Sequence, residues 1–251
     1  MSSGTQRGRV AIVTGGNRGI GEAIARRLSA EGAIVILTHN RAESADQAQA
    51  LAKALGADKG QALALQLDSA DTQAIIALID HVAQRFGRLD ILVNNAAIGN
   101  NTLAADITLD ELDRAIAVNL RAPFIGAQAA ARHMKEGGRI ISIGTTNAVR
   151  VPRQSRVAYA TTKSALVGMT KAMAHDYAEQ GITVNLINPG PTRTGMLGDD
   201  NSPKVQQMLS FCAIKKLAMP KDIAGLVEFV AREEAWFITG AVLAVDGGYT
   251  A

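Results

Sequence analysis

The run Arg9-Val-Ala-Ile-Val-Thr14 leads directly into Gly15-Gly16-Asn17-Arg18-Gly19-Ile20-Gly21, and an amphipathic stretch follows. The first part reads as a buried strand, the glycines as a tight turn, and Ile20 to Glu31 as a helix. This order puts unpaired N–H groups and the positive end of a helix dipole at the turn, where a pyrophosphate can approach the backbone. The same glycines also serve a strand-to-helix turn that binds nothing.

The pattern then repeats. Further strands are predicted at Ile34 to Thr38, Ala62 to Leu67, Ile91 to Asn94, Arg139 to Ile143, Thr183 to Ile187 and Val242 to Val245. Helices are predicted at Ser44 to Leu55, Thr72 to Phe86, Asp110 to Lys135, Val157 to Glu179 and Asp222 to Ala231. Such alternation predicts an α/β protein with a parallel sheet covered on both faces, in three α/β/α layers. No linker or repeat divides residues 1–251, so one domain is expected. Residues 195–220 lack a clear pattern and read as a flap. Met196, Leu197, Met208, Leu209 and Phe211 within it suit an apolar pocket wall or core packing.

A net charge of +3 without a block of basic residues argues against a nucleic-acid partner. Cys212 is the only cysteine, which excludes an intrachain disulfide and suits a reducing compartment. Met1 to Arg9 lack the apolar core of a signal peptide, and no apolar run approaches the ~20 residues of a membrane span. The expectation is a cytoplasmic protein with no membrane partner and no metal.

Tyr159 and Lys163 stand four positions apart in a helical stretch and so share a face. An ammonium beside a phenol favours the phenolate, which predicts a tyrosine pKa lowered from ~10 toward the range of an acid–base catalyst. Such pairs also occur on helices without chemistry.

In NAD-binding units an acidic side chain ~20 residues past the glycine turn bonds the ribose 2′-hydroxyl. Here Ile36-Leu-Thr-His-Asn-Arg41 carries no carboxylate before Glu43. Arg18 and Arg41 offer guanidinium forks to a 2′-phosphate, so the reading favours NADPH/NADP+ over NADH. Two solvated arginines are the alternative. Asp68, after the third strand, suits either the adenine amino group or a turn cap.

The ordered set Thr14–Gly21, Asp68, Asn94-Asn-Ala-Ala97 with Gly99, Asn119, Tyr159-Ala-Thr-Thr-Lys163, Asn188-Pro-Gly190 with Thr194, and Val245-Asp-Gly-Gly248 resembles the short-chain dehydrogenase/reductase family over nearly the whole chain. The resemblance implies a Rossmann-type, doubly wound parallel sheet of about seven strands, and a homotetramer or homodimer. It implies Tyr159 as proton donor or acceptor, Lys163 on the nicotinamide ribose, and Asn119 holding a water that links Lys163 to solvent. Asn119 could also break a helix and satisfy backbone groups.

Around the dinucleotide the resemblance implies Gly15, Asn17, Arg18, Gly19, Ile20 and Gly21, then Thr38, His39, Asn40 and Arg41. It adds Asp68 and Ser69, Asn95, Ala96 and Ala97, Tyr159 and Lys163, and Pro189, Gly190, Thr192 and Thr194.

One departure stands out. The family usually places a serine past the fifth strand, whereas this chain has Thr145 and Thr146 there. Ser142 falls too early, inside the strand. A threonine hydroxyl has the same donor and acceptors as serine, and Thr145 is the favoured oxyanion donor. The expected reaction is hydride transfer between a ketone, or a 3-oxoacyl group, and a secondary alcohol. The 3-oxoacyl carrier-protein reductases are the nearest branch, although Ala130 and His175 stand where their basic docking residues are expected. Arg150, Arg153 and Arg156 suit an anionic substrate, a subunit contact or a solvated edge. A nucleotide-binding regulator with weakened catalysis is the rival function.

Overall fold

Along β1 (Val10–Val13) all four side chains are buried, so both faces of the strand must be covered. Ala11 and Val13 pack with Ile24 and Leu28 of α1 (Gly19–Ala30) and Val227 and Val230 of α8 (Pro220–Ala231). On the other face Val10 and Ile12 meet Ile75 and Ile79 of α3 (Thr72–Phe86), Ala127 and Ala130 of α5 (Ala122–Ala131), and Met173 of α6 (Val157–Asp176). Leu51 and Ala52 of α2 (Ala45–Ala54) cover Leu37.

This computed structural model describes residues 4–57, 60–195 and 202–251. The remaining strands are β2 (Ile34–His39), β3 (Ala62–Gln66), β4 (Ile91–Asn94), β5 (Arg139–Ile143), β6 (Thr183–Pro189) and β7 (Val242–Val245). They form one seven-stranded sheet in the order β3-β2-β1-β4-β5-β6-β7, and every pairing is parallel. This is the Rossmann-type α/β fold that the alternation and the resemblance imply. Winding reverses between β1 and β4, and a crevice opens beyond their carboxyl ends. No helix among the described residues is long and apolar enough to cross a membrane.

Two predicted elements differ. The single helix expected from Asp110 to Lys135 is α4 (Leu109–Ile116), a π-turn at Ala117–Arg121, and α5. Pro123 has no N–H to give the carbonyl of residue 119 four positions back, so the backbone widens there. The flap contains a helix that periodicity did not reveal, α7 (Pro203–Ser210). Ser202 caps it by accepting from Val205 N at 3.4 Å, and Pro203 occupies its first turn. Met196 and Leu197 lie outside the described residues.

At the far edge of the sheet Glu228 of α8 is almost fully buried. It accepts from Arg232 Nε at 2.8 Å and Nη2 at 2.9 Å, from Arg27 Nη2 at 3.2 Å, and from Thr5 Oγ1 at 2.7 Å. Burial alone would raise its pKa, but the bonds from Arg232, Thr5 and Arg27 prevail and hold it at about 2, against an ordinary 4.5. Its stabilisation is therefore complete above pH 4.5 and disappears as pH falls toward 2. Glu228→Ala should cost about 2 kcal/mol at pH 7, since the arginines stay partly solvated. Denaturant titration should show the gap between wild type and variant narrowing at pH 3; a constant gap would remove the ion cluster as its cause.

Candidate active site

The predicted cofactor residues gather at one edge of the sheet because most of them follow the carboxyl end of a strand. Gly15 to Gly21 follow β1, Asn40 and Arg41 follow β2, Asp68 and Ser69 follow β3, and Asn95 to Ala97 follow β4. Gly190, Thr192 and Thr194 follow β6, whose last residue is Pro189.

Side-chain bonds tie these loops together. Thr14 Oγ1 accepts from the backbone N–H groups of Asn95 and Ala96, both at 3.0 Å. Asn95 Nδ2 returns bonds to the carbonyls of Thr14 at 2.9 Å and Gly15 at 3.1 Å. Thr38 Oγ1 accepts from Gly15 N at 3.0 Å. Two glycines are sterically required. Gly15 has φ +60°, and a Cβ on Gly21 would lie 2.3 Å from the Gly15 carbonyl oxygen. A methyl group on Gly21 would therefore push the Gly15 backbone and the Asn95 side chain out of place and distort the turn. The N-terminus of α1 has no side-chain cap, which leaves its N–H groups free for an anion. These features fit a dinucleotide.

The ribose-end residues divide in two. Thr38 and His39 are buried; Thr38 braces the glycine turn, and the His39 ring contacts the Arg41 carbonyl at 3.1 Å. Arg18, Asn40 and Arg41 are exposed. The guanidinium groups of Arg18 and Arg41 have no bonded partner among the described residues. Asp68 accepts from Ala70 N at 2.9 Å and pairs with Arg114 at 3.2 Å, so its turn-capping role is realised. Thr194 lies against the turn: a Cβ on Gly19 would be 3.6 Å from its methyl.

Tyr159 and Lys163 share one face of α6 and have different surroundings. The Thr145 hydroxyl stands close enough to the Tyr159 oxygen to favour the phenolate. Thr145 Oγ1 also accepts from Asn147 N at 3.2 Å, and its own N–H is held by Asn188 Oδ1 at 3.0 Å. No side-chain bond of Thr146 to Tyr159 accompanies these. Lys163 Nζ donates to the Ile143 carbonyl, the end of β5, at 2.7 Å.

The expected lowering of the Tyr159 pKa is absent. Burial raises it, and this prevails over the opposing Thr145 bond and the charges of Arg156 and Arg153. Lys163 is not among those opposing groups, because burial acts on the ammonium too and brings it from 10.5 to about 8.

Asn119 sits in the π-turn. Its Oδ1 accepts from Ile98 N at 2.9 Å, while Nδ2 donates to Ile98 O at 2.9 Å and to Thr162 Oγ1 at 3.2 Å. Both amide protons are used, and one acceptor position remains. The backbone-satisfying role is thus the one seen. Sequence reasoning missed Thr162, which is buried and bonds Ala158 O at 2.8 Å; a threonine inside a helical stretch gives no signal of that role. It also missed the bracing of Thr145 by Asn188.

The three arginines are engaged within the chain. Arg150 lies over Phe211 at 4.9 Å and donates to Tyr249 O at 3.2 Å. Arg153 approaches Met208 Sδ at 3.9 Å, and Arg156 donates to Asn100 O at 3.2 Å. Two of them therefore lean on α7 or the residue after it.

A parallel sheet with a glycine turn at its winding switch, and a tyrosine, lysine and hydroxyl beside it, defines a dinucleotide-dependent oxidoreductase of the Rossmann type. Residues 15–250 match the family model described as enoyl-(acyl carrier protein) reductase. The chain belongs to the short-chain dehydrogenase/reductase family.

Among curated relatives, the cyclic-di-GMP-binding biofilm dispersal mediator protein of Escherichia coli is 41% identical, over 97% of this chain and 98% of its own. A short-chain dehydrogenase/reductase of Serratia marcescens superposes with a TM-score of 0.94 at 46% identity, covering 98% of this chain and 100% of that one. A short-chain dehydrogenase of Burkholderia cenocepacia in complex with NADP does so at 0.94 and 44%, with the same coverage.

The Lys163 ammonium is a stability cost that can be measured. The shift of about 2.5 units, from 10.5 to about 8, corresponds to roughly 3 kcal/mol. Losing the bond to Ile143 O takes back ~1 kcal/mol. Because the folded pKa is the lower one, the cost is full below pH 8 and fades toward pH 10.5. Lys163→Met should therefore be roughly 2 kcal/mol more stable than wild type at pH 7 in denaturant titrations, and less so at pH 9.5. A destabilised variant at pH 7 would show that the ammonium is better solvated than its burial implies.

Proposed function

We propose that the protein is an NADPH-dependent reductase that interconverts a ketone and a secondary alcohol: ketone + NADPH + H+ ⇌ alcohol + NADP+. The observation that carries this reading is the approach of the Thr145 hydroxyl to Tyr159, on the helix face shared with the buried Lys163, at the edge where the glycine turn opens. Bound NADPH supplies a hydride to the carbonyl carbon.

The chain's own groups do the rest. Tyr159 gives its phenolic proton to the carbonyl oxygen, and in the reverse direction takes it back. Its raised pKa keeps it protonated at neutral pH, the state that reduction requires. Thr145 donates a hydrogen bond to the same oxygen as charge develops. Lys163 holds the ribose hydroxyls and supports the tyrosinate left after transfer. Asn119 clamps Ile98, so the loop after β4 keeps its shape next to the cofactor, and the amide's remaining acceptor position suits a water. Arg18 and Arg41 bind the 2′-phosphate, a choice supported by their exposure without a bonded partner among the described residues and by the NADP in the Burkholderia structure. The described part of the flap, residues 202–220, borders the substrate, with Met208, Leu209 and Phe211 toward it.

A second reading is a nucleotide-binding regulator, favoured by the likeness to the cyclic-di-GMP-binding relative. One experiment separates the two: a ketone panel with NADPH and with NADH, followed by absorbance. Turnover with NADPH preferred is expected. Thr145→Val should lose ~10²-fold in kcat while cofactor binding stays. Arg41→Asp should weaken NADPH use much more than NADH use. Tight NADPH binding without turnover on any ketone would select the regulator.

We also propose a homo-oligomer, a tetramer or a dimer. Trp236 and Phe237 are 66% and 82% exposed and lie in ring contact at 5.0 Å, and Val242 of the edge strand β7 is exposed as well. An apolar surface of this kind suits a second copy. Light scattering should give a dimer or tetramer, shifted to smaller species by Trp236→Glu with Phe237→Glu. A monomeric wild type at micromolar concentration would refute it.

A further inference from the structure

We propose that Arg150 is a positioning residue, which latches the flap helix α7 and the last residues of the chain to the turn that presents Thr145. The inference rests on the reductase reading and concerns how the flap of that same site is held.

The backbone of Arg150 belongs to the Thr145 turn. Ala148 N donates to Thr145 O, and the N–H groups of Val149 and Arg150 both donate to Thr146 O, each at 3.0 Å. Asn147 N donates to Thr145 Oγ1 at 3.2 Å. Ser164 of α6, the residue after Lys163, donates from its hydroxyl to Ala148 O at 3.3 Å. Residue 150 is thus continuous, through hydrogen bonds, with the hydroxyl beside Tyr159.

The side chain leaves this turn for two other segments. Its guanidinium carbon lies 4.9 Å from the centroid of the Phe211 ring and 6.0 Å from that of Tyr249, and Nη1 donates to Tyr249 O at 3.2 Å. The two rings meet edge to face at 6.1 Å. Phe211 is the C-cap of α7, so the arginine grips the end of the flap helix. Arg153, on the same segment, adds only a 3.9 Å contact to Met208 Sδ. Tyr249 is buried and stands on a tail folded about Asp246, which accepts from Gly248 N at 2.9 Å and from Thr250 Oγ1 at 2.6 Å. The chain just past α7 rests on the same tail: Ile214 N donates to Gly247 O at 2.8 Å.

A second attachment lies further along the flap. Arg193 N donates to Ala218 O at 2.8 Å, and Ala218 N donates to Pro191 O at 3.0 Å. The flap is therefore tied to the loop after β6 through Ala218 and to the Thr145 turn through Phe211. The first tie is a backbone bridge. The second is a cation over aromatic rings with one carbonyl bond, a contact that opens and re-forms more readily than paired backbone. Arginine suits it because the planar fork stacks on a ring while donating in its own plane, which a lysine ammonium does not do. Closure of such a segment governs how long a substrate stays bound. Loosening the latch weakens retention of the ketone and leaves the proton and hydride donors in place.

The test uses purified full-length protein with NADPH and three ketones: ethyl acetoacetate, cyclohexanone and acetophenone. For the best of them Arg150→Gln should raise KM about tenfold with a change in kcat below about twofold, and NADPH affinity should stay as it is. Amide hydrogen exchange across residues 205–211 should become about tenfold faster. Tyr249→Leu should share the defect, Tyr249→Phe should not, and Arg150→Gln with Tyr249→Leu should be no worse than the more affected single variant. A side chain that only stabilises the fold would lower the melting temperature and spare the KM. Should Tyr249→Leu fail to fold, Arg150→Gln still decides, since residue 150 is exposed. An unchanged KM, or α7 exchange equal to wild type, overturns the latch and leaves the reductase reading standing. Reduction of none of the three ketones removes the reductase reading and this inference with it.

Discussion

Loops at the carboxyl edge of a parallel sheet have left the ladder, and here side chains supply the hydrogen bonds that the ladder no longer gives. Thr14 collects the N–H groups of Asn95 and Ala96, Thr38 takes that of Gly15, Asn188 takes that of Thr145, and Asn119 clamps both backbone groups of Ile98. Each bond is buried or half-buried, where an unpaired backbone group costs ~1–3 kcal/mol. Short polar side chains therefore do for the loops what the ladder does for the strands. The site keeps its shape because the loops after β1, β4 and β5 are each bonded to a neighbouring element.

That rigidity has an electrostatic consequence. Packing Tyr159 and Lys163 into the same dry region raises the phenol and weakens the ammonium together. The familiar argument that a lysine lowers its tyrosine needs the lysine still charged when the phenol titrates, and an ammonium held at about 8 has lost its proton by then. Long-range relief for the phenolate comes instead from Arg156 and Arg153, on the segment that leads into α6.

The sequence made the sheet legible because buried parallel strands are short continuous apolar runs, and five of the helices because they fill the stretches of ten or more residues between those runs. It concealed what depends on tertiary bonds. The π-turn at Asn119 needs Pro123 four residues on and Ile98 across the crevice; only the proline is a local signal. Helix α7 carries its start signal in Ser202 and Pro203, but its apolar face is too short to stand out. The cofactor residues were placed by motif order, yet Thr38 and His39 turn inward to hold the glycine turn, a distinction that depends on burial. Lys163 was found and its electrostatics misjudged for the same reason.

Threonine in place of the usual serine is consistent with this architecture. Residue 145 is in extended backbone at φ −166°, a conformation that suits a β-branched side chain. Its hydroxyl accepts from Asn147 N, which commits a lone pair to the short turn that follows and leaves the single proton free to donate. A serine there could rotate among three wells; the threonine methyl narrows that choice, so the hydroxyl oxygen is placed before a substrate arrives. The family's serine can therefore be exchanged without loss of the donor, provided Asn188 and Asn147 keep residue 145 at the end of β5. The substitution changes how the hydroxyl is held, and the chemistry it offers stays the same.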